Sequence, residues 1–289
     1  MRMFRRQITA WGLLYGIIFL MMSCSKIIQV DYDQIESKLV LQGRLSPQRG
    51  LEVLVYRTLN PYEWVPVDSL EKIYFVENAV VEIYHRDTLV DEAIHQGQSF
   101  YQSEDPSRIS AGMDYSVRVS ASGMSSVQVD QIQVPPEPPE VKNFKLTPFP
   151  DNGTSFYKRD TLFFEVKNRP EYTVFAVDVR YENYPIDDYD GFLEHFGESF
   201  DPCDGLYYFT NTCFTESWIE RKQQYYFDRK TDRNAFFLIS IIESKIMDFI
   251  EDVSGDGDDG FTEPPMHQGN VEGGFGYIVG ENQVRFPYK

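Results

Sequence analysis

From Leu39 to Ile132 the chain repeats one pattern: a short run of alternating apolar and polar residues, then a turn. Leu51-Glu52-Val53-Leu54-Val55-Tyr56 is the clearest run. A period of two puts every second side chain on one face, which is how a half-buried strand reads and a helix does not. Similar runs occupy Lys38 to Gly43, Asn78 to Tyr84, Leu89 to Ile94, Phe100-Tyr101, Tyr115 to Val119 and Val127 to Ile132. Arg86-Asp87-Thr88, Ala111-Gly112-Met113 and Ser122-Gly123 supply turns between them. Strands this short with turns this regular, and no βαβ alternation, predict an immunoglobulin-like β-sandwich for residues 37–134. An aromatic content of 15% supports strands, because Tyr and Phe pack well on a pleated surface.

The segment Val134-Pro135-Pro136-Glu137-Pro138-Pro139-Glu140 interrupts the pattern. Proline cannot donate to a ladder, so residues 135–140 predict a stiff, extended linker. Residues 141–289 then read as a second β-rich domain. Its expected strands are Val141 to Leu146, Thr161 to Val166, Thr173 to Tyr181, Tyr225 to Phe227, Ala235 to Ile241 and Gly273 to Val279. An irregular insert, rich in acids and aromatics, runs from Tyr184 to Trp218. Ser244 caps an expected short helix whose Ile246, Phe249, Ile250 and Val253 share one face. The fold class predicted is therefore all-β, with one short helix and one irregular insert.

The first residues carry an address. Arg2, Arg5 and Arg6 precede an apolar run from Ile8 to Met22, and Ser23-Cys24 follow. Positive, then apolar, then small is the order of a secretory signal, and the run is short of the ~20 residues of a membrane-spanning helix. Leu20-Met21-Met22-Ser23-Cys24 resembles the bacterial lipobox, with bulkier residues than usual at Met21 and Met22. We expect a signal peptide over 1–23, lipidation of Cys24, and a polar tether over 24–36. Ser25, rather than an aspartate, follows the cysteine and points to the outer membrane, with the membrane face open. An ordinary signal peptide with an incidental cysteine, or an uncleaved N-terminal anchor, is the alternative.

Export leaves Cys203 and Cys213 as an even pair in an oxidising compartment, where a disulfide is expected. Free thiols, or a two-cysteine metal site, are the other readings; His195 is the one histidine nearby. The net charge of −18 argues against nucleic acid as a partner and against anionic surfaces.

Several of these segments, taken in order, resemble a known family. They are the signal with Cys24, Leu39-Val40-Leu41-Gln42-Gly43, Asn78 to Ile83, Gly112 to Val117, the Val134-Pro135 junction, and the ending Gly269-Asn270-Val271-Glu272-Gly273-Gly274-Phe275-Gly276. Together they resemble the Bacteroidetes lipoprotein family known as domain of unknown function 4249. The resemblance brings no catalytic residues with it. It implies an envelope setting beside TonB-dependent outer-membrane transporters, and so a role in ligand capture or uptake.

Three constellations have residue types that could carry chemistry. Asp252, Ser254, Asp256, Asp258 and Glu263 fall on a twelve-residue calcium-loop pattern with Gly257 at its turn position. Against this, Asp259 stands where an apolar residue belongs, and Pro264-Pro265 forbid a following helix. A solvated acidic loop is the plainer reading, so calcium is the only cofactor raised. Asp187, Asp188 and Asp190 sit beside Tyr184 and Tyr189. Carboxylates beside aromatic platforms suit a ligand- or partner-binding loop, and would also suit a glycoside hydrolase. The histidines His85, His95, His195 and His267 are scattered; His85 and His95, on neighbouring strands, are the two that could approach each other. No nucleophile elbow, phosphate loop or zinc-protease motif is present. Gly273-Gly274-Phe275-Gly276 lacks the helix and lysine of a phosphate loop and reads as a strand with close backbone approach. The expected function is a non-enzymatic, lipid-anchored binding protein, with an envelope hydrolase and a purely structural surface module as alternatives.

Overall fold

The structure is a computed structural model, and it describes residues 36–58, 74–148, 157–169, 174–181, 203, 208–228, 235–246 and 269–288. The alternating runs of the first half become seven strands. They are β1 (Leu39–Ser46), β2 (Gly50–Arg57), β3 (Val80–His85), β4 (Thr88–Gly97), β5 (Phe100–Ser103), β6 (Asp114–Ser120) and β7 (Val127–Gln133). The second half adds β8 (Val141–Pro148), β9 (Tyr157–Lys167), β10 (Val174–Tyr181), β11 (Tyr208–Thr210), β12 (Trp218–Asp228), β13 (Ala235–Ile242) and β14 (Phe275–Pro287). Among the described residues the only helical turns beyond single residues are 3-10 turns at Pro106–Arg108 and Asn211–Cys213. The all-β expectation holds. The helix expected after Ser244 lies mostly outside the described residues, with Ile246 inside them and buried.

Two sheets result. The large one has the order β11-β10-β13-β14-β1-β2-β5-β4-β3-β6-β7, and the small one the order β12-β9-β8. Each half has its own apolar cluster. Leu41, Val53, Ile83, Val117, Val129 and their neighbours fill the first. Leu162, Phe164, Phe175, Phe237 and Ile239 fill the second, between the two sheets. Residues 135–140 connect β7 to β8 without strand structure. They are fastened at both ends: Asn282 Nδ2 donates to Pro135 O at 2.9 Å, and Lys167 Nζ meets Glu140 Oε2 at 2.7 Å. Backbone pairing nonetheless continues between the halves, through β14.

Strand β14 lies parallel to β1, with Val40 opposite Phe275 and Leu45 opposite Gly280. It then runs antiparallel to β13, from Ile242 opposite Glu281 to Phe236 opposite Pro287. The expected strand ends at Val279, and the polar Gly280-Glu281-Asn282-Gln283 follows it. Those residues are buried where the strand passes from one partner to the other. Expected boundaries also shift at β12, which starts at Trp218 rather than near Tyr225, and at the insert, which contains β11. Gly273 and Gly274 stand just before β14 rather than in it.

The ending motif makes this docking feasible. Gly276 has φ +98, a conformation costly for residues with a Cβ, and a Cβ there would overlap the Leu41 carbonyl oxygen. At Gly274 a Cβ would lie 2.5 Å from Leu39 O. Asn270 closes the turn: its Nδ2 donates to Ile278 O at 2.7 Å, and its Oδ1 accepts from Ile278 N at 3.0 Å. Replacing Gly276 with valine adds both overlap and backbone strain, and should cost at least about 2 kcal/mol. A urea unfolding midpoint unchanged from the parent protein would refute this account of the motif.

Candidate functional site

Alternation places Arg44, Glu52, Asp178, Arg180 and Glu281 on the polar side of their strands, where charges usually meet water. The structure buries Arg44, Glu52 and Glu281 and half-buries Asp178 and Arg180. Arg44, Glu52 and Glu281 side chains are each 1% exposed. Register explains how they meet. Arg44 on β1 is the cross-strand partner of Glu52 on β2. Glu281 follows the β14 residues paired to β1, and Asp178 and Arg180 reach the group from β10.

Arg44 sits at the centre. Its Nη2 is 3.3 Å from Asp178 Oδ2, and its Nη1 is 3.5 Å from Glu281 Oε2. Arg180 Nε donates to Asp178 Oδ2 at 2.7 Å, and its Nη1 lies 3.7 Å from Glu52 Oε2. Arg49, from the β1–β2 turn, meets Glu52 Oε1 at 2.5 Å. Three arginines therefore face three carboxylates, and the formal charges cancel. Removal from water still disfavours the charged acids. Burial raises the Glu52 carboxyl above the usual carboxylate range, with Arg49 and Arg44 opposing the rise. Burial likewise raises Asp178, opposed first by Arg44 and reinforced by Glu281.

A second polar group adjoins the first. Glu243 Oε2 accepts from Gln133 N at 3.2 Å and Gly280 N at 3.3 Å, while Lys245 Nζ lies 3.3 Å from Glu243 Oε1. Lys245 Nζ also donates to Gln131 O at 2.8 Å. Gln48 Nε2 donates to Asn282 Oδ1 at 2.8 Å. These contacts tie β7 and the β1–β2 turn to the middle of β14. The chemistry assembled here is cohesion between strands, because each charge is spent on a neighbour.

Cys203 and Cys213 form the expected disulfide, with S–S 1.99 Å and Cα–Cα 5.5 Å. Arg221 of β12 donates from Nη1 to Cys203 O at 2.9 Å and lies over the Phe209 ring at 4.6 Å. The bridge thus fastens position 203 beside β11 and β12. His85 and His95 do not meet. His85 Nδ1 is 2.8 Å from Asp114 O at one end of the β3–β4 hairpin, and His95 Nε2 is 2.7 Å from Gln98 O at the other. Cys24, the loop residues Tyr184, Asp187, Asp188, Tyr189 and Asp190, and the calcium-loop residues Asp252, Ser254, Asp256, Asp258 and Glu263 lie outside the described residues. So do His195 and His267. Among the described residues no group of three or more His, Cys, Asp or Glu is placed to hold a metal ion.

Sequence reasoning missed the buried charges. The available signal was weak: Glu52 interrupts a strongly apolar strand, Arg44 stands in a mixed one, and Glu281 interrupts the closing one. Residues 26–286 match the family model described as Domain of unknown function (DUF4249). No curated protein matches the chain.

Two outcomes test the junction. Arg44→Met leaves Asp178 and Glu281 without their central cation and should cost about 3–5 kcal/mol, while Arg108→Met, at an exposed pair with Asp105, should cost under about 1 kcal/mol. Equal losses in denaturant unfolding would mean that burial confers nothing special. The second concerns pH. The raised Glu52 carboxyl binds its proton more tightly folded than unfolded, so its contribution favours the fold below the ordinary value of 4.5 and is lost as pH rises through the raised value. In Glu52→Gln, unfolding free energy should therefore fall less steeply, or rise more steeply, from pH 4.5 upward than in the parent. Parallel curves for the two proteins would contradict it.

Proposed function

The chain belongs to the family described as Domain of unknown function (DUF4249), and we propose that it is a lipid-anchored outer-membrane lipoprotein that binds a ligand or partner for a TonB-dependent uptake system. The observation that carries the reading is the order of Arg2, Arg5, Arg6, the apolar run and Cys24. The family match starts at residue 26, two residues past that cysteine, which fits a leader before it and the family's body after it. Thioether lipidation of Cys24 and acylation of the new terminus supply more than one chain, the number that makes anchoring stable.

The body suits a tethered binding module. Its buried charges neutralise one another and hold strands together, the kind of rigid scaffold on which loops carry recognition. A net charge of −18 favours cationic or neutral ligands over polyanions. The transporter partnership draws on the family setting, and the binding role on the acidic-aromatic segment from Tyr184 to Asp190.

Metabolic labelling with palmitate tests the anchor: the parent protein should take label and sediment with outer membranes, and Cys24→Ala should do neither. Label retained by the alanine variant would end the lipoprotein reading. Affinity capture of the parent from detergent-solubilised outer membranes should recover a TonB-dependent transporter; recovery of none would favour a purely structural surface module.

A further inference from the structure

The end of the body from which the tether leaves carries an aromatic cluster. Lys38 and Thr58 exchange backbone and side-chain hydrogen bonds where β1 begins and β2 ends. Next to them Tyr56 pairs with Phe75, and the rings of Tyr56, Tyr74 and Phe75 lie with centroids 5.1–5.8 Å apart. Tyr74 is 41% exposed. Phe275, opposite Val40, adds a half-buried ring with the Lys38 ammonium 5.3 Å from its centroid. The opposite end of β1 holds the buried charges instead.

We propose that this aromatic end is a membrane-facing surface, seated in the headgroup region of the bilayer that carries Cys24. The proposal rests on the anchoring reading above. Eleven residues, 25–35, separate Cys24 from Glu36. Fully extended they span about 40 Å, so the tether alone lets the body turn either end to the lipid. Leu89 and Met113 are exposed toward the other end, and what marks this end is the start of the described chain at Glu36 together with the ring cluster. Tyr combines an apolar body with a polar tip and is favoured where membrane meets water. Glu36, Glu77 and Glu272 stand exposed at the same end, and with the net charge they oppose an anionic surface. The matching partner is therefore a zwitterionic headgroup layer, engaged by ring burial rather than by charge.

The test uses the full-length protein, lipidated by its bacterial host. Cys24 is occupied by lipid and Cys203–Cys213 by the disulfide, so a cysteine introduced at Tyr74 is the one labelling site. Thr88→Cys serves as control. It lies in the β3–β4 hairpin at the far end of the same sheet, about 30 Å away along the strands by the β2–β5–β4 registers. Both variants receive an environment-sensitive dye and are reconstituted in phosphatidylcholine vesicles containing spin-labelled lipid. The expected result is several-fold stronger quenching and a blue-shifted emission at position 74. Equal quenching at the two positions, in protein whose mass includes the lipid, overturns the membrane-facing surface and leaves the anchor standing. Protein whose mass lacks the lipid overturns the anchor, and this surface with it.

Discussion

Strand β14 gives its first half to β1 and its second half to β13, and the large sheet exists because of that change of partner. Without it, β1 to β7 would be one sheet over the first apolar cluster, and β10, β11 and β13 another over the second. The pairing is demanding. Parallel contact with β1 brings backbone against backbone closely enough that two positions must be glycine. Where the partners change, neither cluster supplies apolar surroundings, and polar side chains fill the gap.

That requirement accounts for the buried ions. Taking arginines and carboxylates out of water is costly, and such groups persist where they satisfy one another. Here Arg44 draws on β10 and β14 at once, and Glu243 gathers backbone amides from β7 and β14. A purely apolar junction could be as stable, but it would not fix which strands meet. Directional partners at Arg44, Glu243 and Asn282 specify the crossing as well as holding it.

Most of the strands were legible because alternation is a local signal. Leu51 to Tyr56 and Tyr115 to Val119 carry their own alternation and Ala235 to Ile241 a nearly continuous apolar run, and the structure keeps each of them as strand. What alternation cannot report is whether the second face is covered. Arg44 and Glu52 occupy positions that read as solvent-facing, and only the three-dimensional register shows them enclosed. The same limit hid the second half of β14, whose polar residues look like a loop until the partner strands are known. The disulfide was legible from cysteine parity and the expectation of an oxidising compartment, which depend on no register at all. The acidic loops proposed for calcium or ligand lie outside the described residues, so their reading still stands on sequence alone.

The place of β14 in chain order also governs how the protein can be made. The strand that completes the sheet is the last of the described strands to leave the ribosome. Until it arrives, β1 and β13 each present an unpaired edge, the kind of surface that recruits other chains. Pairing β14 with β1 also joins residues more than two hundred positions apart, which makes closure slow relative to local hairpins. A chain of this design needs its early strands shielded until β14 arrives, and β14 acts as a checkpoint: no chain broken before it can complete the sheet.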